Sequence, residues 1–123
     1  MASDTNTLED FNKAIAKCRE VFVKKLKDYG TSWRVMRPSS LTDQIYIKAR
    51  RIRFIEEKGE ENTKVKEGIT PEFIGIVNYC AIALIQLSLG PGEFIDINRA
   101  LKPYDEEIAA STALMIDKNH DYD

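Results

Sequence analysis

The sequence predicts an all-α domain, a bundle of four to five helices, and three observations carry that prediction. Apolar residues recur at steps of three and four through the first thirty positions and again over 41–58, the spacing of one helix face. From Phe73 to Leu89 the chain is apolar almost all the way round, and a run of that length far exceeds the five or six residues of a mean strand. Turn residues (Gly30, Gly59 and Gly90-Pro91-Gly92) stand between these segments rather than within them.

In chain order, Leu8, Phe11, Ile15, Cys18, Phe22, Leu26 and Tyr29 share one face of a first helix over about 7–29. Thr7 and Asp10 can cap its start, and Gly30 can close its end. A polar linker, 31–39, precedes a second capping pair, Ser40 with Asp43. Leu41, Ile45, Ile52 and Ile55 then trace a second helix over about 41–58, which Gly59 should stop. The charged stretch 59–68 reads as a mobile loop. Thr70-Pro71 predicts the start of a third helix over 71–89, with proline at the first helical position, where its missing N–H costs least. That apolar helix should be central and covered on every side. A fourth helical region runs from Glu93 towards Lys118, and Pro103 is expected to divide it.

Sliding the chain on itself by 93 positions pairs Asp28-Tyr29 with Asp121-Tyr122, Leu8 with Leu101, Phe11 with Tyr104 and Ile15 with Ile108. Apolar positions in register over a whole helix suggest duplication. The expected organisation is a first helical repeat over 1–92, followed by a connecting helix and the start of a truncated second repeat over 93–123. On this reading the chain is a fragment of a longer, two-copy protein.

Composition limits the function classes. The chain has 123 residues, enough for one domain with a core of its own. With 18 basic and 20 acidic residues and a net charge of −2, it lacks a global field for nucleic acid, so binding to nucleic acid is not expected. No secretion signal is visible at the start. Asn78 and Gln86 interrupt the best apolar stretch, so no membrane span is expected and the default location is cytoplasmic. Cys18 and Cys80 lie in apolar stripes without CxxC spacing, as buried thiols do.

Three groups of residues could carry chemistry. Tyr29 and Trp33 could stack a base while Arg34 meets phosphate, although the same tract also reads as a helix end anchored by buried aromatics. Lys48 and Arg51, three apart, share a helix face and can grip a phosphate or lie as a solvated face. Glu56, Glu57, Glu60 and Glu61 flank Gly59, and Glu67 and Glu72 lie at the approach to the third helix; carboxylates on two neighbouring helices can supply the oxygen ligands that magnesium takes beside substrate phosphates, and such a charge run also reads as solvated surface. His120 is the single histidine and has no partner for a nucleophilic triad.

The blocks Asp28-Tyr29-Gly30-x-Ser32-Trp33-Arg34, Lys48-x-x-Arg51, Glu67-Gly68-Ile69 and Asn78-Tyr79-Cys80-Ala81-Ile82-Ala83-Leu84 resemble the nucleotide modification associated domain 1 family over roughly residues 19–87. That family in turn resembles the all-α MazG-like and dUTPase-like nucleoside triphosphate pyrophosphohydrolases, which hold magnesium through EExxE and ExxD patterns. The resemblance implies a MazG-like bundle and a magnesium site held by Glu57, Glu60 and Glu72. Glu56-Glu57-Lys58-Gly59-Glu60 matches the first pattern only with a glycine inside it. In the second, Gly75 stands where the aspartate after Glu72 belongs. The expectation is therefore a copy that binds a nucleotide or modified nucleotide and need not hydrolyse it. The competing expectation is a non-catalytic helical module that forms a homodimer or self-associates through its repeat faces.

Overall fold

The computed structural model describes residues 2–59 and 61–122, with side chains at 6–59 and 61–118. Four α-helices and one short 3-10 turn make up the described chain: α1 (Ala2–Tyr29), the turn η1 (Ser32–Val35), α2 (Pro38–Glu57), α3 (Asn62–Leu89) and α4 (Ile97–Tyr122). The all-α prediction holds. α1 starts earlier than the Thr7–Asp10 pair suggested. α2 also starts early, at Pro38 rather than at Ser40, because proline suits the first turn of a helix. Gly30 and Gly59 both take positive φ, 65° and 68°, and end α1 and α2 as expected.

α2 and α3 form an antiparallel hairpin around Gly59. Ile55 packs on Gly68, whose missing side chain leaves the isoleucine methyls 3.4 Å from where a Cβ would stand, and Lys48 lies on Gly75. α1 and α4 pack against α3. The core between them is built from Phe22 and Leu26 of α1, Trp33, Leu41 of α2, Ala81, Ile82 and Ile85 of α3, and Ala100 and Tyr104 of α4. The rings of Phe22 and Tyr104 stack at 4.1 Å. Two polar side chains inside this core are satisfied. The Tyr104 hydroxyl donates to Asn78 Oδ1 at 2.7 Å, and Asn78 Nδ2 donates to the Cys18 carbonyl at 3.0 Å. At the surface, Arg19 grips Asp105 with two hydrogen bonds of 2.8 and 2.9 Å, joining α1 to α4.

Several expectations are corrected. The charged segment after Gly59 is not a loop, because α3 begins at Asn62 and Pro71 lies inside it. An interior proline costs about 3 kcal/mol. Here the carbonyl it leaves without a donor, that of Glu67, belongs to an exposed stretch that water can reach, and packing of Gly68 on Ile55 holds the extra turns to α2. Pro103 likewise does not divide α4. Ala100 and Tyr104, both fully buried, pin the turns on either side of it. α3 is the core helix but is not covered all round, because α1, α2 and α4 leave one side open. Phe73, Cys80, Leu84 and Leu87 are exposed there, so Cys80 is not a buried thiol, although nearby bulk still pushes its thiol pKa up. Cys18 is buried, with its thiol pKa raised by desolvation. By length and composition α3 could cross a membrane, its most apolar 18-residue window having a mean hydropathy of 1.6, contrary to the expectation that no stretch comes close. Its Asn78 and Gln86 are buried and hydrogen-bonded inside the bundle. The side chains of His120, Asp121 and Tyr122 lie outside the described residues.

Candidate functional site

A groove of about 1050 Å³ opens between α1, η1, α2 and α3, along α3 from Thr63 to Ile82. Its volume is of the order of small-molecule sites, roughly 300–1,000 Å³. Helical spacing explains its α1 wall. Lys17, Val21, Lys25 and Tyr29 follow one another every fourth residue and so lie in a row along the helix. Phe22, Leu26 and Ile82 form an apolar floor, and Trp33, carried in by η1, joins them. The α3 wall exists because the helix starts at Asn62, which places Lys66, Glu67 and Thr70 along the groove above Glu72, Gly75, Asn78 and Tyr79. Lys48 reaches in from α2.

Two features set the electrostatics. Four lysines (17, 25, 48 and 66) face two glutamates (67 and 72), so the groove is locally basic in a chain whose net charge is −2. Cations also sit by the aromatic rings. Lys25 Nζ lies 5.7 Å from the Tyr29 ring centre, and Lys48 Nζ 5.8 Å from that of Tyr79.

The structure sorts the sequence-predicted residues. Tyr29, Trp33, Lys48 and Glu72 line the groove together. Tyr29 is 69% exposed and free to meet a ligand, whereas Trp33 is 8% exposed and its Nε1 is buried without an acceptor among the described residues. Arg51 stands beside the groove, 61% exposed, with Nη1 3.6 Å from Glu72 Oε1.

Arg34 points elsewhere. Its Nη1 donates to Gln86 Oε1 and, at 2.8 Å, to the Gly90 carbonyl. It thus caps the C-terminal end of α3, where a cation meets the negative end of the helix dipole. Gln86 completes this knot, its Nε2 donating to the carbonyls of Arg34 and Met36, each at 2.7 Å. On the other side of the turn, Thr31 Oγ1 donates to the Ile95 carbonyl at 2.8 Å and accepts from the Ile95 N–H at 2.9 Å. Trp33-Arg34 therefore serves two ends, the indole towards the groove and the guanidinium towards the close of α3.

Of the carboxylates expected to hold magnesium, the two described ones, Glu57 and Glu72, do not converge. Glu57 ends α2 and pairs with Arg53 at 3.3 Å, while Glu72 lies ten residues into α3, about 15 Å along its axis. Glu60 lies outside the described residues. Both oxygens of Glu72 face cations, Oε2 at 3.3 Å from Lys48 Nζ and Oε1 at 3.6 Å from Arg51. No group of three metal-ligating side chains occurs among the described residues. Magnesium needs near-octahedral oxygen ligands, and the described residues do not bring such a set together.

Sequence reasoning missed Lys17, Lys25, Lys66, Asn78 and Tyr79 as groove residues. The four-residue rhythm that joins Lys17 and Lys25 to Tyr29 would have found the first two. Lys66 was out of reach while 59–68 read as a loop.

No curated protein and no solved structure matches the chain significantly. The family model for nucleotide modification associated domain 1 matches residues 25–87, just over half of the chain. The matched span runs from Lys25 through η1 and α2 to the end of α3, and so takes in most of the groove as well as the Arg34–Gln86 knot. The chain therefore belongs to the nucleotide modification associated domain 1 family.

Proposed function

We propose that the groove binds a nucleotide or modified nucleotide, and that this chain acts as a binding domain. One observation carries the reading: an apolar, aromatic-floored groove is rimmed by four lysines in an otherwise acidic protein. A ligand that suits it has an aromatic body and a multiply charged tail. The base would lie against Tyr29 and Trp33, where stacking on an aromatic face favours any base. The phosphates would lie towards the lysines, which act as point charges for phosphate oxygens. The family's association with nucleotide modification agrees with this chemistry. Neither the carboxylate arrangement nor the pairing of Glu72 supports a metal-assisted hydrolytic step.

Trp33 is the single tryptophan, so intrinsic fluorescence reports on the groove directly. Titration with the four deoxynucleoside triphosphates and their ribonucleotide counterparts should give a saturable change in Trp33 emission. It should also raise the melting temperature of the protein. A panel that moves neither signal removes the reading.

A second reading, self-association, has its own observation. Phe73, Cys80 and Leu87 recur every seven residues on the open side of α3, with Leu84 beside them, all exposed. Apolar residues at that period make a seam for a second, identical helix. A molar mass by light scattering that stays monomeric at high concentration would exclude it.

A further inference from the structure

Lys48 is the best-anchored cation of the groove, and a glycine makes its position possible. Its stem crosses α3 directly over Gly75. A Cβ at that position would fall 2.7 Å from Lys48 Cε and 2.9 Å from Cδ, so any side chain there would push the lysine aside. The stem is thereby laid along α3. Its ammonium is delivered to the groove wall, 3.3 Å from Glu72 Oε2 and beside the Tyr79 ring. Arg51, three residues on from Lys48 along α2, brings a second cation to the other oxygen of the same carboxylate. Glu72 is mostly buried, with an 18% exposed side chain, and sits between the two like a bound anion.

We propose that Lys48 and Arg51 are the phosphate subsite of the groove, that the Glu72 carboxylate occupies it as an internal placeholder, and that it binds phosphate without a divalent cation. The proposal rests on the nucleotide reading of the groove. A carboxylate carries one negative charge, whereas the terminal phosphate of a nucleotide brings more charge and three oxygens. Against the same two cations the phosphate is the stronger partner. Glu72 would then turn out towards solvent, and that rearrangement limits affinity. Among the described residues a divalent cation has no comparable seat: no three metal-ligating side chains come together, Gly75 offers no side-chain oxygen, and the space above it holds the lysine stem.

The test is equilibrium binding of deoxynucleoside triphosphates and of inorganic tripolyphosphate, each measured in EDTA and in magnesium. Wild type is compared with the Lys48→Met, Arg51→Gln and Glu72→Gln variants. Nucleotide affinity should agree within about threefold between EDTA and magnesium. Lys48→Met, which keeps the stem over Gly75, should weaken it at least about tenfold, the scale of one lost charged contact. Arg51→Gln should weaken it less, and Glu72→Gln should tighten it by about threefold or more. Tripolyphosphate following the same order would mark the site as a phosphate reader, whereas a nucleotide-only response places the discrimination at the aromatic floor with the subsite intact. Binding that requires magnesium, or that Lys48→Met leaves unchanged, overturns the proposal while the nucleotide reading stands. Absence of nucleotide binding in both buffers overturns both. Should Lys48→Met fail to fold, the exposed Arg51→Gln and the gain expected from Glu72→Gln decide the matter.

Discussion

Replacing Tyr104 by phenylalanine probes the link between α4 and the rest of the bundle with a change of one oxygen atom. The ring can stay stacked on Phe22 at 4.1 Å, so core volume is nearly unchanged. What is lost is the 2.7 Å hydrogen bond to Asn78 Oδ1, an acceptor in a buried side chain that is left without its donor. An orphaned buried acceptor costs about 1–3 kcal/mol, and a central value of ~2 kcal/mol corresponds to a fall of roughly 8 °C in melting temperature for a domain of this size.

The same hydroxyl sets an alkaline limit. Desolvation by burial, the largest cause, raises the Tyr104 pKa far above its ordinary value, with the Cys18 thiol and Asp105 adding to the effect. The folded state therefore holds this proton more tightly than the unfolded chain. Its stabilising contribution is complete below about pH 10 and is lost as pH rises from there towards the folded-state value, at up to ~1.4 kcal/mol per pH unit. Urea melts at pH 7 and at pH 11 measure both effects. The penalty of Tyr104→Phe should be ~2 kcal/mol at pH 7 and should shrink by ~1.4 kcal/mol at pH 11. A penalty that is the same at both values would refute the desolvation of the hydroxyl, and one below about 0.5 kcal/mol at pH 7 would refute the buried hydrogen bond.

Gln86→Leu should be costlier, by about 3 kcal/mol or more, because it strips the Arg34 and Met36 carbonyls and an Arg34 N–H of their shared partner; chemical denaturation followed by circular dichroism reads this. Pro103→Ala should stabilise the protein by about 1 kcal/mol or more, since it restores a donor within a continuous helix, and a lowered melting temperature would mean that the proline ring packs productively. Arg19→Ala, by contrast, should cost under about 1 kcal/mol despite two well-formed hydrogen bonds, because its pair with Asp105 is nearly half exposed; a thermal melt at low and high salt checks it.

Legibility from the sequence was uneven for identifiable reasons. Gly30 and Gly59 end α1 and α2 where expected because positive φ is a local property, open to glycine at little cost. The two prolines misled because the rule that places proline at a helix start is also local. Whether an interior proline is tolerated depends on what holds the turns around it, Gly68 on Ile55 for Pro71 and the buried Ala100 and Tyr104 for Pro103. Of the candidate site, Tyr29, Trp33, Lys48 and Glu72 were found from residue type and spacing and do meet in one groove. Arg34 looked like their companion because it is next to Trp33. Adjacent residues in a 3-10 turn point in different directions, and no sequence pattern says that Gln86 and Gly90 wait on the other side.

Periodicity, punctuation and the short motif blocks determined by themselves the helical class, the helix ends at glycine and the family of this protein. Those features depend on backbone preference and on which face of a helix is apolar, and both are written locally. The tertiary structure alone decided that Glu72 is clasped by two cations, that the Lys48 stem lies over Gly75, and that a groove with four lysines faces solvent. Each of these depends on the register of α2 against α3. That register is set by where α3 begins, and packing, not propensity, carried its start back to Asn62.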